Sequence, residues 1–206
     1  MSKIYFITAI GTNSGKTIVS AIFTQALNAD YWKPIQAGDL DNTDSMKVAE
    51  LISNKDSKIN EERYKLSIPK SPHIAAKHDN IDIKLSDFSI PHFNNNLIIE
   101  GAGGILVPLN ENLLIIDLIK LFNAEVVLVS DDYLGSINHT LLSIEFLKSN
   151  NIKIKGIVFN KSSNIEAQDY ILKYSKLNCL LRINIEKELN KEVILQYSNE
   201  LKINLK

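Results

Sequence analysis

Ile10, Gly11, Thr12, Asn13, Ser14, Gly15, Lys16 and Thr17 form the most chemically loaded stretch of the chain. They follow an apolar run and open an amphipathic one. That is the strand-to-helix setting in which a Gly-x4-Gly-Lys-[Ser/Thr] loop cradles phosphate. Backbone N–H groups at the helix start attract phosphate oxygens. Lys16 then reaches the terminal phosphates, and the Thr17 hydroxyl completes a magnesium shell. One position departs from the pattern: Ile10 stands where the first glycine belongs, with Gly11 one residue later. The stretch predicts binding of a nucleoside triphosphate with magnesium.

Such a loop calls for carboxylates, because magnesium prefers hard oxygen ligands. Glu100 closes the apolar run Leu97, Ile98, Ile99 and is followed by Gly101, Ala102, Gly103 and Gly104, small residues that let backbone approach a ligand. Asp44 lies beyond the second predicted strand, just before a helix. There a metal role competes with helix capping by Thr43 or Asp44 itself. Lys33 ends that second strand. By itself it would read as a solvated lysine, and its Lys-Pro-Ile-Gln context raises it to a candidate.

The elements that would position these groups alternate in type. Strand-like runs cover residues 3–9, 31–35, 97–100, 126–130 and 155–160, and helices are expected over 16–28, 113–122, 136–150 and 164–175. Residues 53–80, punctuated by Pro69 and Pro72, read as loops with short elements, and the tail after Ile185 reads as helical. This alternation predicts an α/β fold, a parallel sheet with helices on both faces. Ligands of such sheets bind outside the carboxyl ends of the strands. Residues 11–17, 33–38, 100–104, 131–138 and 160–162 occupy those ends. With 206 residues and no Gly-, Ser- or Pro-rich linker, one domain over residues 1–206 is expected.

Composition narrows the class further. The net charge is −1, and Arg63 and Arg182 are the only arginines, so no nucleic-acid footprint is expected. No apolar run approaches the ~20 residues of a membrane span, and the apolar start lacks a signal-peptide cleavage pattern. A cytoplasmic protein without nucleic-acid or membrane partners is the expectation. A lone Cys179 excludes an internal disulfide and a thiolate zinc cluster. His73, His78, His92 and His139 show no ligand-pair spacing.

Five segments together resemble the dethiobiotin synthetases of the biotin pathway. They are the phosphate loop; Trp32 to Gly38; Ser71-Pro72-His73; Ile99 to Gly104 continuing through Pro108; and Leu134 to Thr140. The resemblance covers nearly the whole chain. It implies a P-loop NTPase-like fold and a homodimer with the diamine site at the subunit interface. The implied reaction joins 7,8-diaminononanoate, CO2 and ATP to give dethiobiotin, ADP and phosphate, through a carbamate and a carbamic-phosphoric anhydride. Carried over by position, Thr17, Asp44 and Glu100 would bind Mg2+, and Lys16 and Lys33 would be the active-site lysines. Asn13, Ser14, Gly15, Lys16, Thr17, Ile18, Asp44, Glu100, Gly101, Ala102, Gly103 and Asn160 would contact ATP. Lys33, Ala37, Gly135, Ser136, Ile137 and Asn138 would contact the diamine substrate.

Residues 135–138 open a predicted helix, whose free N–H groups independently favour an anion. A plain Ser136 cap there is compatible with binding. Two departures from the family stand out. Ala37 occupies a position that commonly bears a hydroxyl, and residues 180–184 do not match a glycine- and proline-containing turn over the base. Asn160-Lys161-Ser162-Ser163 is similar to the guanine-reading Asn-Lys-x-Asp but lacks its aspartate, which disfavours GTP. Three rivals remain in view. A corrinoid amidoligase usually carries a further domain, a ParA-like switch has a signature lysine where Gly11 stands, and a regulator without turnover would not need Lys16, Thr17 and Glu100.

Overall fold

A computed structural model describes residues 2–205. Its strands are β1 (Ile4–Ala9), β2 (Asp30–Trp32), β3 (Ile35–Ala37), β4 (Ile59–Asn60), β5 (Tyr64–Leu66), β6 (Leu97–Glu100), β7 (Glu125–Asp131), β8 (Ile154–Asn160) and β9 (Cys179–Ile183). Its α-helices are α1 (Lys16–Leu27), α2 (Asp44–Leu51), α3 (Pro72–His78), α4 (Ile115–Phe122), α5 (Ser136–Ser149), α6 (Ile165–Ser175) and α7 (Lys191–Asn204).

Seven strands form one sheet in the order β4-β2-β6-β1-β7-β8-β9, and each pairing is parallel. A sheet covered on both faces needs apolar residues at successive positions, which is why β1 reads as a continuous apolar run. Tyr5, Ile7 and Ala9 point into a core shared with α1, α2 and α7. Phe6 points the other way, into a core shared with α3 and α4. Leu128, Ile157 and Phe159 pack on Ile144 of α5 and Ile171 of α6. This is the parallel sheet covered on both faces that the alternation predicts, in the P-loop NTPase-like form that the resemblance implies.

The expected second strand over residues 31–35 is two strands. Proline has no N–H to give to a ladder, and the chain breaks at Lys33 and Pro34. It resumes as β3, which pairs with β5 in a separate two-stranded sheet. The break matters for function, because it leaves Lys33 at the carboxyl end of β2 instead of inside a ladder. Residues 53–80 do hold short elements, namely β4, β5 and α3. β9 lies outside the predicted strands and forms the edge beside β8.

Candidate active site

The loop between β1 and α1 is bent by local backbone demands. Asn13 and Gly15 both have positive φ, 59° and 91°, and Gly15 is the N-cap of α1. A Cβ on Gly15 would run into the Asn160 side-chain amide, with Cγ only 2.8 Å away. Asn160, the last residue of β8, donates from Nδ2 to the Ser14 carbonyl at 3.0 Å. The turn is thus pinned from a neighbouring strand, and Ile10 is tied to β7 through its N–H on Val129 O at 3.1 Å. Lys16 is buried and donates to the Gly11 carbonyl at 3.1 Å, so its ammonium curls back over the loop.

Glu100, 1% exposed, sits at the end of β6 directly beside β1. Its Oε1 accepts from Thr17 Oγ1 at 3.0 Å and from Lys33 Nζ at 3.0 Å. Its Oε2 accepts from Tyr31 OH at 2.9 Å. Lys33 Nζ also meets Asp44 Oδ2 at 2.6 Å, and Lys47 Nζ lies 3.5 Å from Asp44 Oδ1. Thr43 takes the cap of α2 by accepting from the Met46 N–H. That resolves the competition at Asp44, whose carboxylate is left to face Lys33. Gln36 helps to place it: Nε2 donates to Gly38 O and Oε1 accepts from the Asp44 N–H.

The electrostatics follow from this packing. Burial works against the Lys33 ammonium, but the Glu100 and Asp44 carboxylates outweigh it and hold its pKa above the ordinary lysine value. Burial likewise opposes the Asp44 charge, and Lys33 outweighs it, so that carboxyl lies below its usual range. For Lys16 burial wins and the pKa is lowered, with Glu100 opposing. Burial, then the Glu100 charge, keeps the Tyr31 phenol protonated and a hydrogen-bond donor.

Two carboxylates and a hydroxyl thus gather around one cationic point, and all three are hard oxygen donors. Among the described residues no group of three or more His, Cys, Asp or Glu side chains could hold a metal. Magnesium does not require one, since it commonly takes one or two carboxylates and completes its shell with water and phosphate oxygens. The donor set fits it.

Gly101 and Gly103 are needed for space and conformation. A Cβ on Gly101 would lie 2.7 Å from the Phe6 ring, and Gly103 has φ 71°. Ala102 lies between them, partly buried against the core that Phe6 joins. Ile18 and Thr17 line a cleft of about 400 Å³ with Lys47, Glu50, Leu51 and residues 188–191. Ala37 ends β3, paired with Leu66. Gly135, Ser136, Ile137 and Asn138 line a second cleft of about 740 Å³ at the end of β7, facing Tyr170 of α6. The cap of α5 is Gly135, at φ 106°, and Ser136 makes no capping bond. The structure therefore brings Thr17, Lys33, Asp44 and Glu100 into direct contact beside Lys16. Residues 135–138 form a separate cleft whose side chains do not hydrogen-bond to that cluster.

A model described as an AAA domain matches residues 3–193 of this chain. The chain is 52% identical over 200 residues to the ATP-dependent dethiobiotin synthetase of Cytophaga hutchinsonii, covering 97% of both. The chain belongs to the dethiobiotin synthetase family. Dethiobiotin synthetases are carbon–nitrogen ligases, so this is an enzyme family. A second member, from Christiangramia forsetii, is 48% identical over 202 residues, covering 98% of this chain and 97% of its own. Among solved structures, the septum site-determining protein MinD of Pyrococcus horikoshii aligns over 98% of this chain and 95% of its own. Its TM-score is 0.59 at 14% identity, a likeness of fold.

Three features around the site carry little signal in the sequence. In the sequence Tyr31 is only a strand residue, yet its hydroxyl holds Glu100. Tyr170 stands half-exposed opposite residues 135–138. It stacks near Tyr174 one turn on, an exposed aromatic pair that was visible as an i, i+4 spacing. Residues 188–191 wall the cleft beside Ile18, and nothing in their composition signals it.

Proposed function

We propose that the chain is a magnesium- and ATP-dependent dethiobiotin synthetase of biotin biosynthesis. It closes 7,8-diaminononanoate with CO2 to dethiobiotin, releasing ADP and phosphate, and a single P-loop catalytic domain carries the chemistry. The observation that carries this reading is the Lys33 ammonium held between Asp44 and Glu100, on the same Glu100 oxygen that binds Thr17.

The nucleotide would lie along the loop at Asn13, Ser14, Gly15, Lys16 and Thr17, with Ile18 and Asn160 towards the nucleoside and Gly101, Ala102 and Gly103 beside the phosphates. Thr17, Asp44 and Glu100 would hold Mg2+, whose charge would offset that of the nucleotide phosphates. The first step needs a neutral amine, and an alkyl amine near the lysine value is about three pH units too basic at neutrality, roughly 4 kcal/mol. Lys16, Lys33 and the ion together would place net positive charge beside it, which lowers that cost. Lys33 suits the task because its neighbours keep it an ammonium. The same property makes it a charge stabiliser for the carbamate and not a covalent nucleophile. The carbamate oxygen then attacks the terminal phosphate in line while Lys16 neutralises the charge that develops there. In the last step the second amine closes the ring and expels phosphate.

The substrate carboxylate would dock at Gly135, Ser136, Ile137 and Asn138, where helix N–H groups favour an anion. Lys33 and Ala37 would line the diamine end. A homodimer with the diamine site at the interface would fit this division, since the two ends of the substrate would then meet different subunits. Leu134, in the lining of that cleft, is an exposed apolar residue, as is Leu142 on α5, and exposed apolar surface suits an interface. A cytoplasmic location and small-molecule partners alone complete the proposal; no described helix is long and apolar enough to cross a membrane.

ADP release with and without the diamine and bicarbonate tests the reading. Release should depend on both. Release indifferent to the diamine would favour a nucleotide switch of the ParA type and overturn the synthetase assignment.

A further inference from the structure

Glu100 uses its two oxygens unequally. Oε1 faces the site and meets Thr17 and Lys33, whereas Oε2 faces inward and meets only Tyr31. Tyr31 is fully buried on β2, which pairs in register with β6, Tyr31 opposite Ile98 and Trp32 opposite Ile99. The ring has no freedom to leave, and the Glu100 carboxyl, 1% exposed, has none to turn. Oε2 is therefore committed to a protein donor before any ligand arrives.

That commitment bears on which cation the carboxylate accepts. Magnesium takes near-ideal octahedral geometry with carboxylates bound through one oxygen, while calcium readily takes both oxygens and six to eight ligands. We infer that Tyr31 is a positioning residue for metal selectivity: by holding Oε2 it leaves Glu100 a single ligand oxygen, which favours Mg2+ over Ca2+. The inference rests on the metal assignment of Thr17, Asp44 and Glu100 made above. It assigns a role to a residue that touches neither nucleotide nor metal. Hydrogen-bond partners behind a ligand typically change metal affinity by about 10–100-fold when removed.

The test is calorimetric titration of Mg2+ and of Ca2+ into the full chain with ADP, for the wild type and Tyr31→Phe. Tyr31→Phe keeps the buried ring and removes only the hydroxyl, and a thermal melt checks its fold. The Kd ratio of Ca2+ to Mg2+ should fall by about tenfold or more in the variant, chiefly through weaker Mg2+ binding. A ratio that changes by less than about threefold, including equal weakening of both ions, overturns the inference. A wild type that binds neither ion with ADP overturns the metal assignment itself, which separates the two failures. A crystal structure of the wild type with Mg2+ and ADP gives a second reading that needs no variant. Glu100 should bind the ion through Oε1 alone with Oε2 still on Tyr31, and a bidentate Glu100 would refute the role.

Discussion

Lys33→Met should destabilise the ligand-free chain by about 3 kcal/mol, and removing the Glu100 charge as well should restore most of it. In the native site one ammonium touches Asp44 at 2.6 Å and Glu100 at 3.0 Å. Without it two carboxylate oxygens remain roughly 5 Å apart, and at an effective dielectric of about 20 their repulsion is about 3 kcal/mol. Breaking one side of a buried ion pair costs about 3–5 kcal/mol in general. Asp44 keeps a fifth of its side chain in solvent, which screens the repulsion and favours the lower figure. For 206 residues that is a fall in Tm of roughly 6–12 °C. The assay is a thermal melt of wild type, Lys33→Met, and Lys33→Met combined with Glu100→Gln. Mg2+ should raise the melting temperature of the single variant more than that of the wild type, because the ion then meets two carboxylates with no competing ammonium. A single variant that loses less than about 1 kcal/mol, or a double variant as unstable as the single, would refute the charge-pair account.

The other expectations are simpler. Lys33→Gln should lower turnover by about 10²–10³, the range for losing one preorganised charge contact; full turnover would remove Lys33 from the mechanism. Gly15→Ala should abolish nucleotide binding, measured with a fluorescent ATP analogue, since a side chain at φ 91° strikes Asn160. The Asp44 carboxyl is held below its usual value, so its contribution is complete above about pH 4 and is lost as pH falls through the lower folded value. Acid melts should show that loss in the wild type and not in Asp44→Asn. Asp79, kept at a pKa of about 2 by hydrogen bonds from Ser67 and then His78, should move towards the ordinary value in Ser67→Ala, read by carboxyl NMR.

What could be read ahead of the structure was set by local physics. Residues 16–27 and 136–149 announce themselves because glycine precedes a long helical period. β1, β7 and β8 do so because a strand buried on both faces must be apolar throughout. Glu100 was legible for the same reason, as a charge closing such a strand. Tyr31 was not, because a tyrosine on a buried strand looks like core until its hydroxyl is found against a residue 69 positions away. The break at Lys33 was also missed, since a five-residue run containing one proline still resembles a strand. Asp44 was readable as either a cap or a ligand. Only the position of Thr43 in three dimensions decides which residue caps.

The parallel sheet has a consequence for how the chain is made. β1 is followed by 87 residues before β6, its first neighbour, begins at Leu97, and it gains its second neighbour only when β7 is complete at Asp131. The helix that follows the phosphate loop waits longer still. α1 is covered by α7, where Ser198 Oγ donates to Ile22 O across 176 residues of chain. At about 5–20 residues per second α1 spends roughly 10–35 seconds of synthesis with the face that α7 covers still open. A nascent chain stalled before α7 should therefore leave the apolar face of α1 open to chaperones, because the residues that cover it have not yet been made.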